Sequence, residues 1–255
     1  MLPEPALFKK AFDSIYDCFD NFELSLLGGE PTYYRGLDWA LENKDLHPSK
    51  KIMLETNASR EISWWKKYSP HFGKVVISFH QHFLSVEHLF FVLETLRELE
   101  VDTKIKLPIT PKYWDDTIEL KQLLWSRGYK SELQILYKNF TKGNNNYYQY
   151  SEQQLDFYYT DKNVNPNQIE KQIEFKRIHR LNEYHGHMCW AGVEQFVIDR
   201  FGNVYRGWCE QGGSLGNIFG TAIKWPEVPI MCQKYLCSNG FDLEARKSEN
   251  SWGRL

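Results

Sequence analysis

No run of this chain approaches membrane-spanning length. The longest apolar candidate, around Leu89 to Leu93, is a few residues long, so no membrane partner is expected. An excess of one charge is also lacking. Thirty-one Lys and Arg stand against 33 Asp and Glu, which leaves no electrostatic footprint for nucleic acid. The N-terminus, Met-Leu-Pro-Glu-Pro, has no basic segment leading into an apolar stretch. A signal peptide is therefore not expected, and a cytoplasmic location follows. Cysteine is scarce, at five in 255 residues. In such a compartment five cysteines argue for a metal or for chemistry over a disulfide framework. Four of the five, Cys189, Cys209, Cys232 and Cys237, fall in the last third. What the chain does have is 42% hydrophobic and 16% aromatic residues. That is enough for a buried core, and it excludes disorder. The length suits one large domain, or a large one and a small one.

Periodicity predicts alternating strands and helices. Residues 6–19 repeat apolar side chains at helical spacing (Leu7, Phe8, Ala11, Phe12, Ile15, Tyr16, Phe19), and Phe22 to Leu27 reads as a short strand stopped by Gly28-Gly29. Further helices are expected over 36–42, 60–68 with Ser59 as N-cap, 85–100 with Ser85 as N-cap, and 114–127 closed by Gly128. Further strands are expected over 51–56, 74–79, 103–107 and 132–137. Five βα units with short links predict an α/β fold with a parallel sheet, too few units for a closed eight-fold barrel and better suited to a partial one. Residues 141–168, rich in Asn, Gln and Tyr, read as a linker or long surface loop whose tyrosines pack at a domain junction or, alternatively, lie over a substrate opening. A β-hairpin is expected around Arg200-Phe201-Gly202-Asn203.

Two constellations carry chemistry. Gly28-Gly29-Glu30-Pro31-Thr32 follows a strand, and loops at the carboxyl ends of parallel strands are where such sheets bind ligands. Glycines let a backbone approach closely, Glu30 offers a carboxylate to a cation such as an ammonium, and Pro31 stiffens the exit. Alone, this segment is equally readable as an ordinary βα turn. The second constellation is the four late cysteines. Cys232-x4-Cys237 is a clip able to give two thiolates to one centre, and the hairpin near Gly202 returns Cys209 toward Cys189. Four thiolates can hold zinc or a [4Fe–4S] cluster, and their spacing does not separate the two. His185 and His187 precede Cys189 as alternative ligands. His80 and His82, at a strand end, read as structural histidines.

The segment Gly28-Gly29-Glu30-Pro31-Thr32 resembles the motif by which radical S-adenosylmethionine (radical SAM) proteins hold the cofactor's amino group. Glu55-Thr56-Asn57-Ala58 resembles that family's next turn, with Ala58 where glycine is usual. Ser78-Phe79-His80 resembles a related strand ending, although Gln81-His82 departs from it. Cys189-Trp-Ala-Gly, Val197 to Arg206, Cys209, Leu215 to Ile218, Cys232 and Cys237 follow one another in the order of a SPASM/twitch-type auxiliary-cluster extension. The resemblance runs from about residue 6 to residue 242. It implies a partial (β/α) barrel over 1–140, lacking its first strand, the linker over 141–168, a small Cys-rich α+β auxiliary-cluster domain over 169–242, and a polar tail over 243–255. It also implies S-adenosylmethionine near Gly28, Gly29, Glu30, Pro31, Thr56 and Ser78, and a [4Fe–4S] cluster, or alternatively zinc, on Cys189, Cys209, Cys232 and Cys237. Such an enzyme generates a 5′-deoxyadenosyl radical to modify a peptide or other organic substrate. The CxxxCxxC loop of the family's catalytic cluster does not occur, and Cys18 is the one cysteine before Gly28. No catalytic residue is therefore assigned. An N-terminally shortened enzyme, not competent alone, is the expectation. The alternatives are a second chain that supplies the missing segment, and a non-catalytic module, stapled by cluster or zinc, that binds peptide or protein.

Overall fold

The computed structural model describes residues 5–19, 22–42, 52–80, 84–141, 144–161, 183–220, 222–237 and 239–248. The chain divides into two compact units. One comprises residues 4–138 and 146–158, and the other comprises 159–255 with 139–145 and 1–3. Among the described residues no helix is long and apolar enough to cross a membrane.

The first unit is built on five parallel strands: β1 (Leu24–Leu26), β2 (Ile52–Thr56), β3 (Lys74–Ser78), β4 (Asp102–Ile109) and β5 (Ser131–Ile135). They lie in the order β1-β2-β3-β4-β5, so each connection steps to the adjacent strand, as successive βα units do. The connections carry α2 (Arg35–Glu42), α3 (Ile62–Tyr68), α4 (Val86–Glu98) and α5 (Trp114–Ser126), and α1 (Pro5–Cys18) precedes β1 and packs on α2. The expected partial α/β arrangement is therefore present as an open five-stranded sheet.

Register sorts the strand residues onto two faces. Ile52, Leu54 and Thr56 share a face with Val75 and Ile77, with Ile105, Leu107 and Ile109, and with Leu133 and Ile135. All of these are buried, as are Leu89, Val92, Leu93 and Leu96 of α4. The opposite face carries Met53, Glu55, Ser78, Lys104, Lys106 and Gln134, all half-buried, with Val76 buried among them. Both faces of a parallel sheet are ordinarily covered by apolar packing. A face that is polar and only half-buried departs from that pattern.

Local signals account for the helix ends. Ser85 Oγ accepts the His88 N–H at 3.2 Å and caps α4 as expected. At the end of α5 the Tyr129 N–H reaches the Leu124 carbonyl (2.9 Å) and the Gly128 N–H the Trp125 carbonyl (3.0 Å). With Gly128 at φ +83°, this is a Schellman closure. Helix α3 differs from expectation. It begins at Ile62, and Ser59 does not cap it; the Ser59 hydroxyl has no hydrogen-bond partner. The reason is the turn before it. Asn57 Oδ1 accepts the Ser59 N–H at 2.9 Å and Ala58 sits at φ +63°, so these residues shape the loop after β2 instead of opening a helix.

Within the stretch 141–168, the described residues are also more ordered than their composition suggests. They contribute part of the pair β6 (Tyr137–Thr141) and β7 (Asn144–Tyr147), and α6 (Glu152–Asp161). Their aromatics explain the order. Tyr158 is fully buried, and the Tyr150 hydroxyl donates to the Ile109 carbonyl at 2.7 Å. Trp114 meets the rings of Tyr150 and Phe157 edge-on. The end of the expected linker and the boundary at 169 lie outside the described residues, as does His82.

The second unit contains two small antiparallel sheets. One is β9 (Val197–Ile198), β10 (Asn203–Tyr205) and β11 (Ser214–Asn217), ordered β11-β10-β9. The other has β8 (Met188–Cys189) between β12 (Ile230–Met231) and β13 (Lys247–Ser248). The expected hairpin joins β9 and β10, and Asp199 Oδ1 accepts the N–H groups of Phe201 and Asn203 across the turn. Residues 243–248 do not behave as a polar tail. Leu243 completes a short helix, α7 (Gly240–Glu244), Leu243 and Ala245 are buried, and β13 pairs with β8. A two-residue strand leaves too little periodicity to read.

Candidate functional site

The turn after β1 presents Gly28 at φ +92° and Gly29 at φ +59°, both exposed. A side chain at either would meet nothing within 4 Å. Glycine is therefore needed for backbone conformation rather than for space. Glu30 follows as the N-cap of a 3-10 turn, Pro31–Tyr33, that Pro31 opens. Its Oε1 accepts from the Thr32 N–H (3.1 Å), the Thr32 hydroxyl (2.7 Å) and the Thr56 hydroxyl (2.8 Å). Its Oε2 accepts from the Asn57 N–H at 2.7 Å. Thr32 and Thr56 are buried. One carboxylate thus ties the turn after β1 to the turn after β2, and Oε2 keeps capacity for a further donor. Ala58 is buried in a left-handed conformation. That conformation is why glycine suits this position.

Ser78, at the end of β3, lies with a different carboxylate. Its hydroxyl is 3.3 Å from Glu55 Oε1, and Lys106 Nζ of β4 approaches the same oxygen at 2.8 Å. The side chains of Lys106 and Glu55 are 26% and 22% exposed, so this is a partly desolvated pair on the polar sheet face. The sequence points to Ser78 and carries Glu55 in the same turn motif as Thr56, but does not single out Lys106. The available signal was a charge alternating with apolar residues inside a strand, as in Thr103-Lys104-Ile105-Lys106-Leu107. Thr56 joins Glu30 instead, and His80 lies two residues past the end of β3.

The four late cysteines all lie in the second unit, and none is in a disulfide. Cys189 is the middle of the sheet β12-β8-β13, opposite Ile230 and Lys247. Cys232 follows β12. Its N–H donates to the His187 carbonyl (2.7 Å) and its carbonyl accepts the Gly186 N–H (2.8 Å). Cys189 and Cys232 are buried together with Ala191, Ala245 and part of Tyr184. Cys209 stands in the turn after β10, where its N–H donates to Asp242 Oδ2 at 2.8 Å. Cys237 is buried next to Tyr184, whose hydroxyl feels its charge.

The thiols perturb one another. Burial pushes Cys209 up to about 11, and Asp242 and Cys189 add to it against the opposing Gln211 amide. Burial pushes Cys237 up to about 12, opposed by Lys247 and reinforced by Asp242, Cys209 and Cys189. Cys232 is raised as well, first by burial and then by Cys189. Cys189 therefore lies within electrostatic reach of the other three. Even so, among the described residues no three His, Cys, Asp or Glu side chains are drawn tightly enough to hold a metal ion. The cysteines are neighbours, not a closed cage. His185 stacks on Tyr235 (4.7 Å, 9°) and His187 meets Tyr184 edge-on. Cys18 is exposed at the end of α1.

No family model matches this chain, and no curated protein does. Solved structures do. Native anSMEcpe with bound AdoMet and Kp18Cys peptide is similar at a TM-score of 0.51 and 16% identity, over 87% of this chain and 70% of that chain. Native anSMEcpe with bound AdoMet is similar at 0.52 and 18% identity, over 87% and 70%. At such identities the likeness is one of fold.

Proposed function

We propose that this chain is a radical SAM-type iron–sulfur protein that binds S-adenosylmethionine on the sheet unit and a thiolate-held metal centre on the second unit. The observation that carries this reading is the Glu30 carboxylate, which spans the turns after β1 and β2 at the carboxyl ends of parallel strands. The fold likeness to a chain solved with bound AdoMet supports it. The substrate class is then a peptide or a small organic molecule, and a peptide is favoured because anSMEcpe was solved with one bound.

The residues present fit the cofactor and the metal centre differently from the catalytic cluster. The exposed backbone of Gly28 and Gly29 and the spare capacity of Glu30 Oε2 suit an ammonium group. In that role Gly28, Gly29, Glu30 and Pro31 orient the cofactor's amino acid end, while Thr56 holds Glu30 in place and Ser78 lies beside the neighbouring Glu55–Lys106 pair. Four soft sulfur donors, Cys189, Cys209, Cys232 and Cys237, suit a [4Fe–4S] cluster or zinc. Their burial disfavours free thiolates, a cost that a bound metal offsets. When bound, such a centre supplies structural closure and, if iron–sulfur, an electron-transfer site. A catalytic cluster is a different matter. A lone exposed Cys18 on α1 does not offer three thiolates, so no radical step is derived for this chain by itself.

The second reading, a non-catalytic module stapled by a cluster or zinc that binds peptide or protein, is favoured by that same absence of three thiolates. Calorimetric titration with S-adenosylmethionine separates the two. Saturable binding that disappears in Glu30→Ala, with fold retained by circular dichroism, supports the first. No binding by the folded, metal-loaded wild type sinks it and leaves the binding module. Iron, sulfide and zinc analysis after anaerobic reconstitution identifies the metal, with about four irons per chain expected for one cluster.

A further inference from the structure

Asp242 is a carboxylate only 3% exposed, five residues after Cys237 on α7. Both of its oxygens are committed to one turn of backbone. Oδ1 accepts the Trp208 N–H at 2.8 Å and Oδ2 accepts the Cys209 N–H at 2.8 Å. A buried charge is costly unless hydrogen-bonded, and two backbone donors on one carboxylate form a charge-assisted clamp. The chain is shaped to allow it. A Cβ on Gly207 would stand 2.6 Å from Asp242 Oδ1, so glycine at 207 lets the turn close onto the carboxylate. The other side of α7 is tied down as well. Lys247 Nζ donates to the carbonyls of Asp242 and Ala245, and Lys247 pairs in register with Cys189. One short helix thereby joins the strand bearing Cys189 to the turn bearing Cys209, immediately after Cys237.

We infer that Asp242 is the positioning residue of the cysteine site, holding the 207–209 turn so that Cys209 completes a four-thiolate set with Cys189, Cys232 and Cys237. This rests on the metal-centre part of the proposed function. The carboxylate acts through the backbone of Cys209, since both of its oxygens face the amides of the 207–209 turn. Nothing in the spacing of the cysteines points to it, since Asp242 lies outside the cysteine pattern itself.

The test uses the full 255-residue chain loaded with Co(II), whose thiolate charge-transfer absorption scales with the number of coordinating sulfurs. Wild type, Asp242→Asn, Gly207→Ala and Cys209→Ser are compared by that absorption, by metal content and by the rate of metal loss to a chelator. Gly207→Ala is the second route, because it keeps every hydrogen-bonding group and only pushes the turn off the carboxylate. Asp242→Asn and Gly207→Ala are expected to fall to the three-sulfur absorption of Cys209→Ser, at about three quarters of wild type, and to lose metal about 10- to 100-fold faster, as residues that orient ligands do. If both variants lower the melting temperature yet keep the wild-type spectrum and release rate, Asp242 is a structural anchor only and the inference is overturned. If wild type itself takes up no Co(II), the metal reading fails and this inference fails with it.

Discussion

Glu30 Oε2 lies 2.7 Å from the amide nitrogen of Asn57, so the turn after β1 is joined to the turn after β2 through a single side chain. Three more hydrogen bonds, from Thr32 and Thr56, converge on the other oxygen. Removing the carboxylate leaves the Asn57 amide and two buried hydroxyls without their acceptor. Glu30→Ala is therefore expected to destabilise the protein by about 2–4 kcal/mol, read as a shift in the urea midpoint followed by tryptophan fluorescence. Glu30→Gln keeps the acceptor oxygen and is expected to lose less than half as much. Equal losses in the two variants would show that the charge, not the hydrogen-bond count, holds the turns together.

Lys106 and Glu55 make a separate, partly exposed pair on the polar face of the sheet. Water screens such a pair, so its coupling is expected to be modest. A double-mutant cycle with Lys106→Met and Glu55→Gln should give an interaction energy of about 0.5–1.5 kcal/mol. A coupling near zero would mean that each side chain finds an equal partner in water.

Both sites show what periodicity conveys and what it does not. The βα alternation was legible because each strand and helix carries its own period and its own stop, such as Ser85 before α4 and Gly128 after α5. Gly28-Gly29-Glu30 was legible because the glycines mark the end of a strand. The partner of Glu55 was not, because Lys106 lies 51 positions away and only the register of β2, β3 and β4 brings them together. Helix α6 was missed because Gln, Asn and Tyr look like a loop until Tyr158 and Phe157 find apolar neighbours. The four cysteines stand out in the sequence, yet Asp242, which accepts the Trp208 and Cys209 amides, lies in a five-residue helix too short to leave a sequence signature.

The closure of α5 isolates a backbone effect. Gly128 sits at φ +83°, and an added Cβ would meet nothing within 4 Å. Gly128→Ala therefore introduces no clash, only a left-handed conformation that an L-residue resists. The expected loss is about 1 kcal/mol, seen in the denaturation midpoint without any change in metal content. A neutral result would indicate that the chain escapes by opening the Tyr129–Leu124 and Gly128–Trp125 hydrogen bonds.

The thiols make the metal-free second unit sensitive to alkali. Cys209 and Cys237 stand at about 11 and about 12, above the ordinary 9.0, mainly because burial disfavours the thiolate. A raised pKa means that the folded state keeps protons the unfolded chain gives up. The stability this contributes is complete below about pH 9 and is lost as pH climbs through 11 to 12. The metal-free protein is accordingly expected to melt at lower temperature with each step above pH 9, and a chain loaded with metal at these cysteines to hold its melting temperature further into alkali. The same shift governs reactivity. At pH 8 a shift of two units leaves about 100-fold less thiolate at Cys209 than an unperturbed thiol would have, so iodoacetamide should label the exposed Cys18 first and Cys209 and Cys237 last by peptide mass spectrometry. Labelling of Cys237 as fast as Cys18 in the folded, metal-free protein would show that its burial is not maintained in solution.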